Sequence, residues 1–277
     1  MKPQPVLYIF QKIREQSEQA HAGAWRALLE FYGPTLIRLL EIHAAMSRRE
    51  ALLAVQETMS ALCGNRFERL RATSRQSERE FLGDLRALLL DRAHPSTSLQ
   101  ASAGPAGGFA AENVTKLLDG LPLLHQEMLF FKLGGYAEST IETILRLSPR
   151  VAERAFERLA GEYQEARRNQ RDRCPWPSAW LALLKQARGL KTENCPPAHD
   201  MVRIHDGQVS WYDKEPVEKH VSGCLHCLQA WAGLREVGYW RRSAEPLSPS
   251  ELDQLLEVIP VQKAPAKKKS FFTRLRP

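Results

Sequence analysis

The sequence predicts an all-α protein: a helical N-terminal domain, a flexible linker, a helix-turn-helix domain and a small helical module near the C-terminus. Three observations carry this prediction. Apolar residues recur at spacings of three and four in the periodic segments, and no segment alternates as a half-buried strand does. A stretch without a single formal charge, made largely of Pro, Gly, Ser and Ala, interrupts the chain near residue 100. Three of the five cysteines lie between residues 195 and 227, at close spacing in a region of short apolar periods.

Each element follows from its residues. From Trp25, the positions Leu28, Leu29, Tyr32, Leu36, Leu39 and Leu40 mark one helical face, with Gly33 and Pro34 expected to bend it. Ser47 and Glu50 read as a capping box opening a second helix, on which Leu52, Val55, Met59 and Leu62 repeat until Gly64 supplies a stop. A third helix is expected from about Ser77 to Arg92, with Phe81, Leu82, Leu85, Leu88 and Leu89 inward. After the connector, Pro122 sits at a first-turn position ahead of LLHQEMLFFKL, and Gly134 and Gly135 end that helix. A short helix, Ala137 to Leu147, precedes another that opens at Ser148 and Pro149. In this last helix Val151, Ala155 and Leu159 are expected inward, while Arg150, Arg154 and Arg158 share a different face. Two helices joined by a tight turn, the second presenting arginines, form helix-turn-helix geometry. An apolar helix, roughly Ser178 to Leu190, leads to the cysteine-bearing stretch. Beyond 240 the chain reads as mostly unfolded and basic, apart from a possible short helix at Ser250 to Val258.

Composition limits the function classes. With 277 residues, 43% hydrophobic and 26% charged, the chain has the make-up of a globular protein of about two domains. It offers no apolar run near the length of a membrane span and no secretion-signal pattern in MKPQPVLYIFQKIREQ, so a cytoplasmic location is expected. The net charge of +7 is not evidence for nucleic acid by itself, because residues 241–277 carry 8 basic against 4 acidic side chains while 112–173 carry 10 of each. No phosphate-cradling glycine loop and no triad signature points to an enzyme or to a small-molecule substrate.

Two constellations carry chemistry. Cys195, His220, Cys224 and Cys227 form Cys-x24-His-x3-Cys-x2-Cys, a donor set that closes a tetrahedral shell around Zn2+ and leaves no open position, so the ion is expected to be structural. His199 and His226 are alternative donors. The plainer reading is ordinary buried thiols and surface histidines, and a further one is a Cys224/Cys227 thiol switch. For DNA, Arg150 and Arg154 near a helix N-terminus can reach base edges, while Arg158, Arg167, Arg168, Arg171 and Arg173 suit phosphates. The plainer reading here is a solvated face, since Glu153 and Glu157 interleave with the arginines. Cys63 reads as a core thiol and Cys174 as a linker thiol, and KKKSFF in the tail as a solvated basic terminus that could touch an anionic surface.

The chain resembles a bacterial sigma factor of the extracytoplasmic-function type joined to the zinc-binding module of an anti-sigma factor. AWRALLEFYGPTLIRLL with LLAVQETMSAL looks like sigma region 2, LDGLPLLHQEMLFFKLGGYAESTIETILRLSPRVAERAFERL looks like region 4, and CPPAHDMVRIHDGQVSWYDKEPVEKHVSGCLHC is similar to the anti-sigma zinc segment. Leu52 and Leu53 stand where family members carry acidic residues, and FLGDLRALLLDRA lacks the aromatic surface of the strand-opening helix. The resemblance implies a region-2-like domain at 1–95, a linker at 96–111, a region-4-like helix-turn-helix domain at 112–173, a zinc module at 174–240 and a tail at 241–277. It implies docking on RNA polymerase core through Val55, Gln56 and Glu57, promoter contact through Arg150, Arg154 and Arg158, and control in cis by the zinc module. Two alternatives accompany it: an adaptor that kept the scaffold without promoter recognition, and an anti-sigma-like factor that binds another sigma factor in trans.

Overall fold

The structure, a computed structural model, describes residues 22–72, 77–93, 110–159 and 171–259. Every regular element among these residues is an α-helix, and none of the helices is long and apolar enough to cross a membrane.

Helices α1 (Ala22–His43), α2 (Arg48–Ala72) and α3 (Glu78–Ala93) pack on one another. The apolar stripe of α1 is buried as its spacing requires, and the helix runs through Pro34 without a break. The main-chain amide and hydroxyl of Ser47 donate to Glu50 at 2.8 and 2.7 Å, forming the expected capping box of α2. Gly64 does not stop this helix, which continues to Ala72. A single glycine costs a helix interior about 1 kcal/mol, and the Arg, Glu, Leu and Ala that follow are strong helix formers. On α3 the buried face includes Leu90, whereas Leu88 is half-exposed.

Of the charge-free connector, residues 94–109 lie outside the described residues, and Ala111 already opens α4 (Ala111–Leu118). Helices α5 (Leu123–Leu133), α6 (Glu138–Leu145) and α7 (Pro149–Leu159) follow. Pro122 flanks α5 as its cap rather than occupying the first turn. The turn after α5 needs its glycine: Gly135 has φ +93°, and a Cβ there would stand 2.3 Å from the Cys174 amide nitrogen. That contact corrects the reading of Cys174 as a linker thiol. The residue is buried, and its amide donates to the Ile42 carbonyl at 2.8 Å, tying the strap before the next helix to the end of α1. In α7 the inward residues are Ala152, Ala155, Phe156 and Leu159, while Val151 is 47% exposed. The step-of-four reading from Val151 drifts off the face because the true period is 3.6.

The C-terminal part contains α8 (Pro177–Gly189), α9 (Ala198–His205), α10 (Trp211–Gly223), α11 (Leu225–Ser243) and α12 (Pro249–Glu257). Helix α11 is the strut of the molecule and contacts α1, α3, α5, α6, α8, α9 and α10. Its Leu228, Trp231, Ala232, Leu234, Val237 and Trp240 join the buried residues of the preceding helices in one continuous core. Within this core α11 carries a carboxylate, Glu236, which pairs with Arg86 of α3 and His43 of α1 and accepts from the hydroxyl of Tyr136. Trp240 donates to Tyr136 at 3.0 Å and Trp180 to His43 at 2.8 Å, so four helices and one turn converge on a fully partnered polar hub.

The short helix expected at Ser250 to Val258 is present as α12, and its docking is what the sequence did not announce: α12 opens with a Ser248–Glu251 capping box, and Leu252, Leu255 and the following Ile259 are buried where it packs on α1 and α2. Full burial of such side chains contributes about 1.5–3 kcal/mol each. The basic stretch with KKKSFF lies outside the described residues.

Candidate metal centre and interaction surfaces

The three elements that build the metal cluster break where its chemistry needs them to break. Helix α10 ends at Gly223, and Cys224 adopts an extended conformation (φ −133°, ψ 109°), which makes it both the C-cap of α10 and the N-cap of α11. This joint sets His220, in the last turn of α10, against Cys227, in the first turn of α11. Cys195 arrives from the α8–α9 loop, where the Thr192 main-chain amide donates to its sulfur at 3.3 Å. The donor atoms of Cys195, His220, Cys224 and Cys227 all lie within 4.8 Å of one another. The Cys195 and Cys224 sulfurs are 3.9 Å apart. That is close to the edge of about 3.8 Å for a tetrahedron with metal–sulfur bonds of about 2.3 Å.

Electrostatics agree with a cation in this place. Among the described residues, buried His220 Nε2 has no hydrogen-bond partner other than the sulfurs of the cluster itself, a costly arrangement that a metal ion would relieve. Burial opposes ionisation of Cys195, yet hydrogen bonds from the Thr192 hydroxyl and amide bring its thiol down to about 6. Burial and the neighbouring Cys224 push Cys227 up instead. Several sulfurs in one place cannot all be thiolates without a positive ion among them. The four side chains can therefore hold a metal ion. Neither alternative histidine belongs to the set: His199 faces Asp200 at 3.2 Å, and His226 Nδ1 donates to the Arg188 carbonyl at 3.2 Å. Cys63 and Cys174 are both buried, and burial pushes each thiol up to about 12.

On α7, Arg150, Arg154 and Arg158 are exposed along one side, interleaved with exposed Glu153 and Glu157. The turn before α7 carries Arg146 in the left-handed region at φ +55°. Burial lowers the basicity of Arg242, and so do Arg146, Arg241 and Arg79, which places the end of α11 beside the helix-turn-helix turn. These arginines belong to three separate stretches of sequence, each balanced by nearby acids, so no local pattern could have announced their proximity. Arg167 and Arg168 lie outside the described residues, and Arg171 and Arg173 are exposed, the Arg173 main-chain amide bonding the Gly135 carbonyl at 2.9 Å.

On α2, Val55 is wholly buried and acts as a core residue, Gln56 is half-buried and Glu57 is exposed. The Gln56 side-chain amide donates to the Gln254 carbonyl of α12 at 3.2 Å. Arg48 at the start of α2 binds Glu251, holding that carboxyl down at about 2, and Arg26 of α1 pairs with Asp253 at 3.0 Å. No protein-family model, no curated protein and no solved structure matches the chain.

Proposed function

We propose that the protein is a cytoplasmic, non-enzymatic transcription initiation regulator of the sigma type, which docks on RNA polymerase core through α2 and contacts promoter DNA through α7. Control is exerted in cis by the C-terminal region, through the helix α12 that follows the zinc-binding module in the chain. The observation that carries this reading is the seat of α12 on α2. The side chain the resemblance assigns to polymerase docking, Gln56, is hydrogen-bonded by the chain's own C-terminal helix, while the arginine side of α7 is open. Control in cis then means occlusion of the docking helix rather than of the DNA-reading helix. A tethered competitor acts at high effective concentration, so a modest contact is enough to keep the docking surface closed.

Zn2+ suits the cluster best, because three soft thiolates and one imidazole are its usual donor set. Four protein donors close the shell, so the ion would brace the α8–α9 loop against the α10–α11 joint and take no part in a reaction. To test the reading, the full chain and a chain ending at Ser243 are compared for affinity to polymerase core. The truncated chain is expected to bind at least tenfold more tightly, and equal affinities would refute occlusion.

The alternation of Glu153 and Glu157 with the α7 arginines favours a second reading, an adaptor without promoter recognition. A gel shift of the polymerase complex on pooled promoter fragments separates the two. An adaptor gives no sequence-selective, salt-sensitive band.

A further inference from the structure

Helix α11 packs on α6, and near its end Trp240 donates to Tyr136, just before α6, at 3.0 Å. Arg241 and Arg242 follow in the last turn of α11, and Arg146 is the residue that caps α6 in the turn leading to α7. Arg79 of α3 lies on the same side, its Nη2 3.8 Å from where a Cβ on Gly238 of α11 would stand. Burial lowers the basicity of Arg242, and Arg146, then Arg241 and Arg79, lower it further, so the four guanidinium groups share one neighbourhood at the entrance to α7.

Two of the four are already neutralised: Arg241 pairs with Glu78 at 3.0 Å, and Arg79 pairs with Asp206. Arg146 and Arg242 differ. Both side chains are exposed, and among the described residues neither forms an ion pair or a side-chain hydrogen bond. Like charges held together without an acid are an unfavourable arrangement that a bound anion corrects. The backbone at Arg146 is a second, independent observation. At φ 55° and ψ 42° it is left-handed, in the position after a helix where glycine is the default, and the Leu147 amide closes the turn on the Glu142 carbonyl at 2.9 Å. A long cationic side chain on a backbone that favours glycine costs the fold stability, and such costs concentrate where the side chain meets a ligand.

We infer that Arg146 and Arg242 form a clamp on the backbone phosphates of duplex DNA, so that the end of α11, outside the helix-turn-helix domain, is part of the DNA-binding surface. Duplex DNA is favoured over an acidic protein because the pair adjoins the exposed Arg150 and Arg154 of α7, and a line of guanidinium groups can follow a phosphate backbone. Each guanidinium fork matches two phosphate oxygens. The inference rests on the reading of α7 as a DNA-contacting helix and adds to it a role for the C-terminal region. That region then acts in opposite senses at its two contacts: α12 covers the docking helix α2, whereas α11 strengthens the hold on DNA. A chain closed toward polymerase stays able to hold a duplex.

The test is binding of the full-length, metal-loaded protein to a short duplex of scrambled sequence, followed by fluorescence anisotropy over a salt series. Arg146→Gly and Arg242→Gln are each expected to weaken binding at least threefold and to lower the salt slope by about one unit. Arg146→Gly is also expected to raise the thermal midpoint by about 2–4 °C, because glycine relieves the left-handed backbone. Tighter folding with weaker DNA binding is a combination that loss of structure cannot give. Should the midpoint fall instead, Arg242→Gln, at an exposed position, decides alone. A parent that binds no duplex, or unchanged affinity and slope in Arg242→Gln, rejects the clamp. Displacement of the duplex by polyglutamate as effectively as by unlabelled duplex rejects the DNA assignment. Arg150→Ala/Arg154→Ala, run alongside, separates the inference from the reading beneath it. Loss of binding there, with none in Arg146→Gly and Arg242→Gln, overturns the clamp alone; retention there, with loss in the other two, overturns the α7 reading and upholds the clamp.

Discussion

Gln56 and Gln254, 198 residues apart, hydrogen-bond each other across the seam between α2 and α12: the Gln56 amide reaches the Gln254 carbonyl at 3.2 Å, and the Gln254 amide returns to Gln56 Oε1 at 3.4 Å. Around this pair α12 inserts Leu252 and Leu255, and Arg48 grips Glu251. A helix of nine residues cannot persist alone in water, so α12 exists because it is docked.

Release of α12 is therefore expected to melt it. Leu255→Glu places a charge in a fully buried position and should free the segment without disturbing the rest of the core. Limited proteolysis is expected to cut the variant between Ala244 and Ser248 at least tenfold faster than the parent, with the remainder resistant. An unchanged cleavage rate would show that α12 does not depend on this contact.

The metal cluster makes a countable prediction. Purified protein is expected to contain one zinc per chain and to lose it in Cys224→Ser. Iodoacetamide at neutral pH should modify three cysteines, Cys195, Cys224 and Cys227, only after chelation. Cys63 and Cys174, buried and pushed up to about 12, should react only in denaturant. Chelation should also lower the thermal midpoint, because binding free energy at such a site is folding free energy. Intact-mass spectrometry after labelling reads the count, and five modified thiols in native, metal-loaded protein would contradict the assignment.

The buried hub gives a pH dependence of known sign. Burial opposes the charge on Glu236, but Arg86 and His43 more than offset it and hold the carboxyl at about 2, below its usual 4.5. Because its folded value lies below the unfolded one, its contribution is fully present above about pH 4.5 and is lost as pH falls toward 2. Glu236→Gln leaves Arg86 as an uncompensated buried charge and is expected to cost about 3–5 kcal/mol at neutral pH. In urea titrations the gap between parent and variant should narrow steadily below pH 4.5. A gap independent of pH would show that the pair is not ionic.

For DNA, the double variant Arg150→Ala/Arg154→Ala removes two exposed charges from α7 and should leave the fold untouched. If these arginines contact phosphates, the dependence of DNA affinity on salt should fall by about one unit of slope per residue. Contact with base edges would instead flatten the preference between promoter and scrambled sequence. An unaltered slope together with unaltered preference assigns α7 to a merely solvated face.

What could be read from the sequence is what depends on residues close together in the chain. The all-helical class, the Ser47–Glu50 cap, the Gly134–Gly135 turn and the Cys-x24-His-x3-Cys-x2-Cys set all rest on local spacing and backbone preference. The long arm of that set, to Cys195, was legible only as one candidate beside His199 and His226, and the fold brought Cys195 to the other three donors. Local spacing also produced the errors: Gly64 looked like a stop, and Val151 looked buried. The tertiary structure alone decided that α12 lies on α2 and that Glu236 sits amid Arg86, His43 and Tyr136. Each of these joins groups roughly a hundred or more residues apart in the chain, or depends on what stands around a group rather than on the group itself. Charge pairing and burial are properties of distance in space, and one-dimensional patterns carry that distance only within a few helical turns.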